Sequence, residues 1–157
     1  MNVEEKIKQE LEEKFGYLKD AITIKRGRRI FADVPLEKFA AVFDYAVKQM
    51  RFEALSAITG MDAGGNFAVI YHLNRPGESL LNLRVNLNKE EPEVNTVTAH
   101  FPGADIYERE LVDLLGIKVN GLSAGSRYPL PDNWPKDEFP LRKSWHAVTT
   151  KSEVQNA

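Results

Sequence analysis

Glu108, Arg109, Glu110 and Asp113 place four charges within six residues. Carboxylates at that density could act as a general acid and base or hold a metal ion. On a helix, however, the three acids project at different angles. Arg109 stands one turn after Asp105 and one turn before Asp113, so it can neutralise a carboxylate on either side. Paired structural carboxylates are therefore expected here, in preference to a catalytic set. The other candidates are weaker. His72, His100 and His146 fall on a strand, a loop and the C-terminal tail, without metal-ligand spacing. Asp62-Ala63-Gly64-Gly65 is a glycine-rich turn, but no Lys-Ser/Thr follows it and no G-x-G-x-x-G opens a helix. Arg26, Arg28 and Arg29 read as a solvated basic hairpin tip. No cofactor, metal or catalytic residue is assigned.

The element that must position these charges is a short helix around Tyr107 to Leu115. Its apolar stripe is expected to be Tyr107, Leu111, Leu114 and Leu115, with Asp105, Arg109 and Asp113 on the opposite side. Asp105 and Glu108 are placed in the first turn, where negative charge suits the helix dipole. Gly116 should end the helix in the left-handed conformation, with Ile117 folding back as the apolar contact.

Before this helix the sequence reads as a two-layer α+β domain, residues 1–120, with a mixed, mostly antiparallel sheet and helices on one face. Val3, Ile7, Leu11 and Phe15 recur every four residues, a first helix closed by Gly16. Residues 21–25 and 29–34 pair as a hairpin turning at Arg26-Gly27-Arg28. Pro35 opens a second helix over Leu36 to Met50, burying Phe39, Phe43, Val47 and Met50. Strands are expected over Phe52–Thr59, Phe67–Leu73 and Leu81–Leu87, the last with strict alternation. The stretch from Gly60 to Gly65 is a turn, and Val94 to Ala99 is a short connection.

Composition narrows the function. The protein has 157 residues, a net charge of −2 and no cysteine. Near-balanced charge argues against a general nucleic-acid binder. Without thiolates it can form no disulfide and ligate no iron–sulfur cluster through sulfur. Residues 1–15 are charged and lack the apolar core of a secretory leader. The longest apolar runs, such as Phe39–Phe43, fall far short of a membrane span, so no direct membrane insertion is expected.

Residues 121–157 differ in character. Pro129, Pro131, Pro135 and Pro140 fall within a dozen residues, which excludes helix and central strand. Tyr128, Leu130, Trp134, Phe139, Leu141 and Trp145 are interspersed among them, unlike the composition of a disordered tail. This is read as an extended arm docking on a partner, with folding back over its own domain as the alternative.

Glu108-Arg109-Glu110-x-x-Asp113-x-x-Gly116-Ile117 resembles the signature of the 30-kDa subunit family of NADH–quinone oxidoreductase (respiratory complex I). Pro140-Leu141-Arg142-Lys143 follows in the right order, within a segment running from Trp134 to Trp145. Relatives of that subunit occur in group 4 membrane-bound energy-converting nickel–iron hydrogenases and in formate hydrogenlyase. The quinone-reducing version usually carries Gly-His-Pro just after the signature helix. Here Gly121 precedes Leu122-Ser123, which is more like the hydrogenase version.

The resemblance implies a subunit that holds no cofactor and braces the large subunit and the iron–sulfur small subunit. It would sit peripherally on the cytoplasmic side of the cell membrane, reaching the membrane subunits only indirectly. It also implies family-motif or interface positions at Glu108, Arg109, Glu110, Asp113, Gly116, Trp134, Pro140, Leu141, Arg142 and Lys143. Arg142 and Lys143 would meet acidic or carbonyl groups on the partner. Membership in a quinone oxidoreductase is the alternative within the family. A small stand-alone α+β enzyme using the three acids, or a stand-alone binding module, are the alternatives outside it.

Overall fold

The computed structural model describes residues 1–147. Helix α1 covers Val3–Lys14 and is started by a capping box. The Glu5 N–H donates to Asn2 Oδ1 at 2.8 Å, and the Asn2 N–H donates to Glu5 Oε2 at 3.1 Å. Ile7 and Leu11 are buried as the spacing requires, but Val3 is exposed and Glu4 is buried in its stead. Glu4 accepts a bond from the Arg28 N–H, so the helix start is tied to the turn of the following hairpin.

That hairpin is β1, Ile22–Arg26, with β2, Arg29–Asp33. A tight turn at Leu36–Lys38 precedes α2, Phe39–Lys48. The buried face of α2 is Phe39, Val42, Phe43 and Ala46, with Val47 only half-buried. The period is therefore i, i+3, i+4, i+7, as expected of a helix over a sheet. Strands β3, Ala54–Asp62, β4, Phe67–Arg75, and β5, Ser79–Leu87, complete the sheet. β3 runs through Gly60 and Met61, residues expected in the turn. The turn itself closes later, where the Ala63 N–H donates to the Asn66 carbonyl.

The sheet order is β1-β2-β5-β4-β3. Only the β2–β5 pair is parallel, from Arg29 opposite Leu80 to Asp33 opposite Arg84. The other three pairs are antiparallel. One face of β4 and β5 is made of Phe67, Val69, Tyr71, Leu73, Leu81, Leu83, Val85 and Leu87. These share a single buried core with residues of all three helices. Phe39 and Phe43 pack on Tyr71, with ring centroids 4.5 and 5.7 Å apart.

Asn82 breaks the alternation, being buried on the opposite face. Its Nδ2 donates to the Ile30 carbonyl at 2.8 Å, and its Oδ1 lies 2.6 Å from His72 Nδ1. His72 Nε2 reaches Thr59 Oγ1 at 2.9 Å, which completes a polar relay across β3, β4, β5 and β2.

The stretch expected to be a plain connection contains β6, Glu93–Asn95. It pairs in parallel with β7, Lys118–Asn120, on the far side of α3, Ala104–Leu115. Three residues are too few to show a period, so the sequence carried no signal for this pair. Beyond β7, residues 121–147 form neither helix nor strand. From Pro131 onward the arm proceeds by turns, the N–H groups of Trp134, Glu138, Arg142 and Trp145 each bonding three residues back.

Candidate functional site

The site is built on α3. It lies over β3 at Gly60, where a Cβ would come within 2.5 Å of Leu111 Cδ2 and 2.6 Å of Leu115 Cδ1. Any side chain there would have to displace these two leucine methyls, so the glycine lets α3 pack close on the strand. At the other end, Gly116 has φ +68° and ψ +31°, and the Ile117 N–H donates to the Leu111 carbonyl at 3.2 Å. Ile117 is fully buried. This is the left-handed glycine stop read from the sequence.

The charges on α3 are distributed differently from the expectation. The helix begins at Ala104, so Glu108 lies in its second turn, and it faces the core at 0% exposure. Its Oε1 accepts from the Val97 N–H at 2.7 Å and its Oε2 from Thr96 Oγ1 at 2.6 Å. Glu108 thus fixes the backbone just after β6. Burial pushes its carboxyl pKa up, and the two hydrogen bonds pull it back down.

Arg109 pairs with Asp105 only, by a forked bond of 2.8 and 3.0 Å. Its remaining donors turn to the arm, reaching the carbonyls of Ser123 at 2.9 Å and Ser126 at 3.4 Å. Asp113, expected as the second partner of Arg109, is instead taken by the arm. It accepts from Arg127 Nε at 3.1 Å and from the Leu130 N–H at 3.1 Å, and is only 7% exposed. Glu110 has no hydrogen bond or ion pair among the described residues and borders a cleft beside Leu141. The three acids are therefore held apart by different surroundings and do not converge on one reacting point.

The second motif closes on the same helix. The Leu141 N–H donates to the Leu114 carbonyl at 3.0 Å, and Arg142 Nε donates to the Leu115 carbonyl at 2.7 Å. These carbonyls are among the last of α3 and lack partners within the helix. The resemblance places Arg142 against groups on a partner, whereas its Nε serves this carbonyl of its own chain. Its guanidinium also lies 4.5 Å from the Phe139 ring centroid and 5.1 Å from that of Phe67.

The Lys143 side chain is exposed, while its backbone N–H donates to Asp62 Oδ2 at 2.9 Å. Lys89, with a hydrogen bond and its charge, and this N–H hold the Asp62 carboxyl well below the usual carboxylate range. Pro140 precedes these contacts in a turn. Trp134 gives its carbonyl to Arg127 Nη1 at 2.7 Å and its Nε1–H to the Glu138 carbonyl at 2.8 Å. It packs against Trp145 at 5.8 Å between ring centroids.

Sequence reasoning missed Arg127, Asp62 and Thr96. Arg127 and Asp62 join segments distant in the sequence, and no spacing rule connects them to α3. His100 Nε2 lies 3.0 Å from Asp44, and His146 is exposed. Among the described residues, no three His, Asp or Glu side chains are grouped as metal ligands. No helix among them is long and apolar enough to cross a membrane.

The C subunit of the NADH-quinone oxidoreductase of Moorella thermoacetica is 32% identical over 123 residues, which is 76% of this chain and 82% of the relative. Formate hydrogenlyase subunit 5 of Escherichia coli is 36% identical over 94 residues, 57% of this chain but only 16% of that longer protein. The fold is shared with part of the membrane-bound sulfane sulfur reductase, an archaeal respiratory membrane complex. That match has a TM-score of 0.76 at 23% identity, covering 92% of this chain and 86% of the other. Residues 32–151, which include α3 and both motifs, match the family model for the respiratory-chain NADH dehydrogenase 30 Kd subunit, and the chain belongs to that family.

Proposed function

We propose that this protein is a subunit without a catalytic centre of its own in a membrane-bound, energy-converting hydrogenase-type complex. There it braces the large nickel–iron-type subunit and the iron–sulfur small subunit, on the cytoplasmic side and peripheral to the membrane. The observation that carries this reading is how the family motif is used. Arg109 and Asp113 hold the arm at Ser123, Ser126, Arg127 and Leu130. The motif charges thus build a preorganised arm with Tyr128 and Leu141 exposed on it. An arm ordered in advance loses less entropy on docking. Leu122-Ser123 after Gly121, with no Gly-His-Pro, favours the hydrogenase type over the quinone-reducing one.

Membership in an NADH–quinone oxidoreductase is the second reading. It is favoured by the Moorella thermoacetica relative, matched over most of its length.

The test is gentle detergent purification of the tagged protein from its own host, with mass spectrometry of the co-purifying proteins. A nickel-containing large subunit, an iron–sulfur subunit and membrane subunits are expected. Recovery of NADH- or quinone-module subunits would select the second reading, and recovery of the protein alone would overturn both. Arg109→Ala, or removal of residues 127–157, should leave the body folded and abolish assembly on native gels.

A further inference from the structure

The geometry points to one specific docking position on this protein, and to the chemistry of what fills it. A cleft of about 230 Å³ opens between β3, at Ile58, Thr59 and Gly60, the α3 residues Glu110, Leu111, Leu114 and Leu115, and Leu141 of the arm. Leu141 is 51% exposed although its own backbone N–H is fixed to the Leu114 carbonyl. Its aliphatic side chain thus stands half in water beside the leucines of the cleft, where a covering partner would remove that apolar surface from water.

The single charged group lining this cleft is Glu110. Its neighbours on α3 are all engaged, Glu108 by Thr96 and Val97, Arg109 by Asp105 and the arm, Asp113 by Arg127. Glu110 alone among these motif charges has no partner among the described residues. β3 is the outermost strand of its sheet, so the cleft borders a strand with no neighbouring strand on its far side among the described residues.

A largely aliphatic cleft, bordered by one carboxylate that has no partner among the described residues, matches an extended segment that offers an aliphatic anchor and a nearby Lys or Arg. The occupant is therefore a cationic, aliphatic segment of a partner subunit. This inference rests on the subunit reading above and names the partner's chemistry at one position.

The experiment uses the complex purified through the tagged protein, with Glu110→Lys and Glu110→Gln variants and a photocrosslinking amino acid placed at Leu141. Glu110 makes no bond among the described residues, so the melting curve of each full-length variant should match that of the wild type. Retention of Glu110→Lys in the complex through a salt wash should fall about tenfold, with Glu110→Gln intermediate. The crosslinked peptide should come from a partner subunit and carry Lys or Arg within a few residues of the crosslinked position.

If the wild type co-purifies with partners and Glu110→Lys is retained equally well, the docking inference fails and the subunit reading stands. A crosslink confined to this protein or to a second copy of it would also overturn the inference. If the wild type purifies alone, both fail.

Discussion

Arg127 and Asp113, fourteen residues apart in the sequence, meet through a 3.1 Å bond that closes the proline-rich arm onto α3. Both side chains are largely sheltered, at 19% and 9% relative exposure, and Asp113 also receives the Leu130 N–H. Asp113→Ala would leave Arg127 Nε and the Leu130 N–H without their acceptor, the guanidinium keeping only its bond to the Trp134 carbonyl. A loss of about 1.5–3 kcal/mol is expected, read as a drop of roughly 2–4 °C in Tm per kcal/mol. A double-mutant cycle with Arg127→Ala should give a coupling of at least about 0.5 kcal/mol. Additive single-variant effects would show that the pair does not hold the arm.

Gly116 controls the arm from the other side. Its φ of +68° disfavours any side chain, and a Cβ there would come within 2.6 Å of Arg142 Nη2 and 2.7 Å of the Phe139 ring. Gly116→Ala should cost more than about 1 kcal/mol, from the left-handed backbone alone. Both tryptophans, Trp134 and Trp145, lie in the arm, so tryptophan emission reports on its docking. The variant should shift that emission to the red while far-ultraviolet circular dichroism holds. Unchanged emission would mean that the arm does not depend on the helix stop.

Glu108 should make stability fall with rising pH. Burial holds its pKa above the ordinary value, so the folded protein keeps that proton more tightly than the unfolded one does. The cost of ionisation is absent below the unfolded pKa of about 4.3 and grows as pH rises through the folded value. Glu108→Gln keeps the shape without the charge. Its stability relative to wild type, measured by urea unfolding between pH 4 and 8, should therefore increase with pH. A difference independent of pH would refute this.

Asp62 has the opposite sign. Its lowered pKa means that its stabilising contribution is present above the unfolded pKa of about 3.9 and is lost as pH falls through the folded value. Asp62→Asn should therefore be destabilising at pH 6, and its deficit should shrink at pH 3. Because Asp62 accepts the Lys143 N–H, the variant should also loosen residues around Lys143, seen as faster amide exchange there.

Much of this fold was legible from local rules. The helix stop at Gly116 and Ile117, the Arg26–Arg29 hairpin and the alternation of Leu81, Leu83, Val85 and Leu87 each depend on residues a few positions apart. At that range, steric and periodic rules determine the outcome. The Asp105–Arg109 pair was legible for the same reason, being one helical turn apart. The parallel β6–β7 pair was not, since two three-residue segments separated by a whole helix carry no periodic signal.

Residue type and short-range spacing are enough to specify the mixed α+β body, the helix that carries the motif charges and the exclusion of helix and strand from the proline-rich arm. They do not specify which face of that helix is buried or which charge meets which partner. Glu108 is in the core because Thr96 and Val97 come round to bond it, and Asp113 binds Arg127 because the arm folds back along α3. Those pairings join residues eleven to fourteen positions apart through loops. Their geometry is set by how the whole molecule packs, and no pairwise spacing rule encodes it.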